Sequence, residues 1–123
     1  KDDRGLIVNS SRVLKPGGRM IFIVPRGKKL YSTLDSAIGH FRRYDQDELR
    51  VLFEELGYTI EELFTLNKVG VIGWWYRGKV AKQAAIGRFG LKLFNMFVPI
   101  FKLIDPILPW QGLSLVIVAR KPK

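Results

Sequence analysis

The sequence contains no cysteine, which excludes a disulfide framework, a cysteine zinc site and a thiol nucleophile. It has one histidine, His40, too few for a His-rich metal centre, and no metal is expected. Long apolar runs are also missing. The two longest charge-free apolar stretches, Val69–Tyr76 and Leu93–Phe101, are each about half the ~20 residues that span a bilayer, so no transmembrane segment is predicted. The chain starts at Lys1 rather than Met, with no signal peptide ahead of its first predicted element. The expectation is therefore a piece of a longer protein.

Acidic residues are scarce. Among 123 residues, 21 are Lys or Arg and 11 are Asp or Glu, giving a net charge of +10. The imbalance is uneven along the chain. Residues 1–44 hold ten basic and three acidic groups, residues 45–66 one and seven, and residues 67–123 ten and one. The length suits one domain, and 47% hydrophobic with 26% charged residues is a globular balance.

Local patterns divide the chain into elements. Asp3 to Leu14 has helical spacing, with Leu6, Ser10, Val13 and Leu14 on one face. Lys15-Pro16-Gly17-Gly18 stops it. Met20-Ile21-Phe22-Ile23-Val24 is an unbroken apolar run, the signature of a strand covered on both faces. Residues 26–44 have no period and read as a functional loop with room for a short helix. Asp45 then caps a helix carrying Leu49, Leu52, Phe53 and Leu56, closed by Gly57. Tyr58 to Leu66 reads as a strand with Tyr58, Ile60, Phe64 and Leu66 on one face. Strand, helix and strand predict a βαβ unit with two parallel strands and a right-handed crossover.

The rest is predicted as an apolar segment Val69–Tyr76, a weakly amphipathic basic helix Arg77–Arg88 and a strongly apolar helix Phe89–Ile104 kinked at Pro99. A last strand covers Leu113–Ala119. The class is α/β, one unit over residues 1–123, with 67–112 as a helical insertion before the final strand. Three strands are few. An apolar strand such as Met20–Val24 at a sheet edge invites pairing, so missing neighbours are expected from upstream residues or from another copy. A homo-oligomer through strand 20–24 follows from the second option.

Arg12-Val-Leu-Lys-Pro-Gly-Gly-Arg19 and the strand after it resemble a segment of the class I S-adenosylmethionine-dependent methyltransferases. The strings Tyr31-Ser-Thr-Leu-Asp35 and Gly39-His-Phe-Arg-Arg-Tyr44 resemble a bacterial branch found near cell-surface sugar or lipid assembly. Leu115–Ala119 with Arg120-Lys121-Pro122 resembles the last, antiparallel strand of that fold. The resemblance implies the C-terminal part of a Rossmann-like methyltransferase fold, with strands corresponding to five, six and seven. It implies S-adenosyl-L-methionine as cofactor, yet the family's Gly-rich turn, the acidic end of strand two and the residues after strand four are absent. No cofactor-binding residue is assigned here, and the chain alone is expected to be inactive.

In the loop after the first strand, His40 is the one side chain suited to taking a proton near neutral pH, and otherwise satisfies a loop carbonyl. Tyr31, Asp35, Arg42, Arg43 and Tyr44 are candidate acceptor-binding residues, with Arg suited to a phosphate or carboxylate. The alternative for Asp35 is a helix cap, for Tyr31 packing, and for the arginines solvation or pairing with the acidic helix. The implied acceptor is a small molecule or a lipid- or sugar-linked one. A second reading is a basic module binding anionic membranes through residues 74–104, where Trp74, Trp75 and Tyr76 precede the apolar helix. These aromatics otherwise cover the core. Both readings place the protein in the cytoplasm, the second at the inner membrane face. Nucleic acid is not an expected partner, because the aromatics are not interleaved with basic residues.

Overall fold

Residues 2–83, 85 and 87–123 are described by the computed structural model. Asp2 caps the first helix, α1 (Asp3–Ser11), its Oδ1 accepting from the Gly5 amide at 2.8 Å. The helix ends three residues early and presents a different face from the one expected. Ile7 and Ser11 are buried, and Leu14 packs below them, while Leu6 and Val13 are exposed. The spacing i, i+4, i+7 of Ile7, Ser11 and Leu14 is the stripe that faces the sheet.

Gly17 turns the chain at φ 72° and donates to the Pro122 carbonyl, and Lys121 donates to the Gly18 carbonyl at 2.8 Å. This turn starts β1 (Arg19–Pro25) beside the end of β3 (Ser114–Arg120). The sheet order is β1-β3-β2, with β2 spanning Thr59–Leu66, and β3 antiparallel to both neighbours. The first two strands therefore run in the same direction, as expected, but the last strand lies between them.

The inner face carries Met20, Phe22 and Val24 of β1, Leu115, Ile117 and Ala119 of β3, and Ile60 and Leu63 of β2. Helix α3 (Gln46–Glu55) covers it with Leu49, Leu52 and Phe53, joined by Leu56 at its C-cap. The Phe53 ring meets Phe22 edge-on at 5.6 Å and Tyr58 at 5.8 Å. Gly57, at φ 82°, ends α3: its amide donates to Glu54 and the next amide, Tyr58, reaches back to Phe53. These two bonds form a Schellman motif.

Two strand predictions fail for identifiable reasons. A bulge between Ile60 and Glu62 places two residues of β2 against one of β3, which reverses the alternation beyond it. Leu63 and Thr65 turn inward, and Phe64 and Leu66 end on the outer face, half-exposed. Strand β1 is covered on one face only, with Ile21 and Ile23 each 66% exposed. Its apolar run marks two apolar faces, of which a single one is packed. Among the described residues β1 pairs with no strand except β3, apart from a single parallel bridge between Arg26 and Tyr44.

After β2 the chain is helical. Asn67 caps α4 (Lys68–Trp75) by accepting from Gly70 at 2.8 Å. One wider turn with i→i+5 bonding follows, Tyr76–Val80, closed by the Ala81 amide on the Tyr76 carbonyl. The helix predicted over Arg77–Arg88 does not continue past this turn, because Lys82 takes φ 48°; Ala84 and Ile86 of that prediction lie outside the described residues. Helix α5 (Arg88–Ile104) contains Pro99, and no residue of it is buried. A short 3-10 turn at Asp105–Ile107 leads to β3.

Candidate functional site

The loop that leaves β1 is clamped at its base. The Arg26 amide donates to Leu113, Gly27 donates to Tyr44 and Tyr44 donates back to Pro25, all within 2.9 Å. Inside this clamp lies a short helix, α2 (Thr33–Ala37), with a capping box. The Ser32 amide donates to Asp35 Oδ2 at 2.9 Å, which fixes the carboxylate relative to the backbone.

Asp35 is wholly buried and is the centre of a polar cluster. Arg43 Nε lies 2.8 Å from its Oδ1, and His40 Nδ1 lies 3.1 Å from the same oxygen. Trp74 Nε1 donates to Oδ2 at 3.3 Å. The Arg43 guanidinium sits 4.9 Å from the Trp74 ring centre and donates to the Arg26 carbonyl at 2.8 Å. The His40 imidazole stacks on Trp74 at 6.4 Å and 25°. Burial pushes the Asp35 carboxyl up, but hydrogen bonds from Arg43, His40 and the Ser32 amide, with the Arg43 charge, outweigh it and hold the group below the usual aspartate value.

Tyr31 joins from the loop, its hydroxyl donating to the His40 carbonyl at 3.1 Å. Tyr31, Asp35, His40 and Arg43 are thus brought together. Arg42 and Tyr44 are not part of the group. Arg42 faces the other way, 2.6 Å from Asp3 and 3.5 Å from Glu48, with its guanidinium 4.4 Å above the Tyr44 ring. Burial raises the Tyr44 hydroxyl above the usual tyrosine value, with Arg42 opposing and Asp3 reinforcing. The alternative reading of pairing with the acidic helix holds for Arg42, since Glu48 is on α3.

His40 separates two hollows. One, of about 180 Å³, is lined by Ile23, Arg43, Trp74 and Leu113. The other, of about 490 Å³, is lined by Asp3, Leu6, Phe41, Arg42 and Tyr44. All six predicted residues except Tyr31 and Asp35 border at least one of them. In the tautomer that carries its proton on Nδ1, facing Asp35, Nε2 is the acceptor atom of the ring, the arrangement of a carboxylate-oriented imidazole. A third, larger hollow of about 720 Å³ lies between Arg26, Lys28 and Lys29 on one side and Trp75 and Trp110 on the other. Lys28 is paired there with Glu48 at 2.9 Å. Burial lowers the Arg26 guanidinium from its ordinary value.

Sequence reasoning does not place Trp74 or Ser32 in this cluster. Trp74 had a weak signal in its neighbours: Gly70 and Gly73 leave that side of α4 without side chains, and both line a hollow with Trp74. Close approach is real one turn later, where a Cβ on Gly78 would come within 2.6 Å of Ser32 Cβ. Comparison with protein-family models finds no match for this chain, and comparison with curated proteins finds none either. Among the described residues, no group of three or more His, Cys, Asp or Glu is placed to hold a metal.

Proposed function

We propose that this chain is the C-terminal part of a cytoplasmic S-adenosylmethionine-dependent methyltransferase and forms the acceptor side of its site. The observation that carries the reading is His40, held by a buried Asp35 at the carboxyl end of β1, where open α/β sheets bind ligands. An antiparallel last strand, as the resemblance implies, and a first strand with an open edge and an open apolar face support it. The residues present do not make a site for the cofactor. Gly17 and Gly18 lead into a strand instead of joining a strand to a helix N-terminus, so cofactor binding is assigned to residues outside this chain.

On the acceptor side, the work of this chain is positioning and proton removal. Asp35 accepts from His40 Nδ1 and fixes the ring, and Nε2 takes the proton of an acceptor hydroxyl or amine. Arg43 neutralises Asp35, and Trp74 holds both cationic and imidazole planes. The test is methyl transfer from tritiated S-adenosylmethionine into an extract of the source cells, catalysed by the full-length protein. His40→Gln is expected to lower the rate by about 10²- to 10⁴-fold. An unchanged rate in His40→Gln would overturn the assignment.

A further inference from the structure

Helix α5 divides its side chains into three rows. Its polar positions, Arg88, Lys92, Asn95 and Lys102, recur at spacings of four, three and seven, which places them on one line along the helix. Leu91, Phe94, Val98 and Phe101 form a second row that lines hollows against Leu34, Leu66, Trp74 and Leu113. The third row, Phe89, Leu93, Met96, Ile100 and Leu103, continues to Ile107 and is exposed throughout, with Phe89, Leu103 and Ile107 each at 78%. A soluble surface rarely leaves so long an apolar row open.

The charge along this row is predominantly basic, and its one acidic neighbour in sequence, Asp105, is engaged in accepting from the Val69 amide at 2.9 Å. Residues 68–104 contain seven Lys or Arg and no Asp or Glu. Trp75 and Tyr76 are more than half exposed nearby in sequence, and Trp110 satisfies its indole N–H on the Lys68 carbonyl at 2.8 Å while its ring stays accessible. Amphipathic aromatics of this kind favour the level of lipid headgroups. No helix among the described residues is long and apolar enough to cross a membrane. Its basic line also suits α5 to lying in the interface plane, apolar row down and cations toward anionic headgroups.

We infer that the exposed row of α5 docks on the surface of an anionic lipid bilayer. Charge complementarity selects this occupant: an all-basic segment gains from anionic lipid, whereas a second copy of the same segment would bring like charges together. The inference stands apart from the methyltransferase reading, since it uses none of the Asp35 cluster.

The test is co-sedimentation of the chain with vesicles of phosphatidylcholine alone and of phosphatidylcholine mixed with phosphatidylglycerol, over a range of KCl. Sedimentation with the mixed vesicles, weakening as salt rises, is expected. Lys92→Gln should weaken it by about fivefold, the share of one near-surface cation. Met96→Glu with Leu103→Glu should abolish it. Both sites are exposed, so the double variant should keep the far-ultraviolet circular dichroism of the parent, which is checked first; Leu103→Ser alone is the second variant if it does not. Absence of binding to the mixed vesicles overturns the inference, as does binding that survives loss of the apolar row. A chain that dimerises in solution through this row, becomes monomeric in the double variant and ignores vesicles would show the occupant to be a second copy.

Discussion

Phe53 and Leu103 both belong to apolar stripes of amphipathic helices, yet Phe53 is 1% exposed and Leu103 is 78% exposed. The difference lies in what each helix meets. Helix α3 has one apolar stripe and one apolar sheet face to cover, and the two match. Helix α5 has two apolar rows and only one hollow side of the protein to place them against. The sheet shows the same contrast across its thickness: Ile117 points into the packed layer at 0% exposure, whereas Ile23 stands on the open face at 66%. Apolar patterning thus reports that a face must leave water, and says nothing of whether this chain supplies the cover.

Substitutions on the two sides should separate sharply. Phe53→Ala removes a side chain with two ring partners and should destabilise by about 3–5 kcal/mol, read as a lower urea midpoint. Asp35→Asn leaves the Arg43 charge buried without its counter-ion, at a cost of about 3 kcal/mol, and should also shift the fluorescence of Trp74. Gly57→Ala forces a side chain into φ 82° and should cost about 1–2 kcal/mol. Leu103→Ala should change stability by less than about 0.5 kcal/mol. A loss comparable to that of Phe53→Ala would show α5 to be packed, and the contrast would fail.

The Asp35 cluster adds a pH test. Its carboxyl titrates lower in the folded protein than its ordinary value of 3.8, so the unfolded chain binds the proton first. The stabilisation is present above that ordinary value and is lost as pH falls through the depressed one. Urea midpoints measured between about pH 5 and pH 2 should therefore fall less steeply for Asp35→Asn than for the parent. Equal slopes would remove Asp35 as a paired carboxylate.

Much of this was legible in the sequence where local rules dominate. Asp45, the Leu49–Leu56 stripe and Gly57 mark α3 to within a residue, because position, period and stop agree, although the Asp45 side chain makes no capping hydrogen bond and accepts instead from the Lys28 amide at 3.4 Å. The faces of α1 and β2 were misread, since neither a choice between Leu6 and Ile7 nor a bulge at Ile60 leaves a local trace. The loop residues of the site were legible by type, while their partition was not. Arg42 and Arg43 are adjacent and point to opposite partners, Asp3 and Asp35, and the ring that orders the cluster, Trp74, comes 39 residues after Asp35.

The most direct test of the proposed function is calorimetric titration with S-adenosylhomocysteine, run on residues 1–123 and on the longer protein that the proposal requires. The proposed methyltransferase reading, which gives residues 1–123 the acceptor side and assigns cofactor binding to residues outside them, predicts no heat of binding for residues 1–123 and micromolar binding for a longer protein that contains them. Micromolar binding by residues 1–123 alone would contradict it.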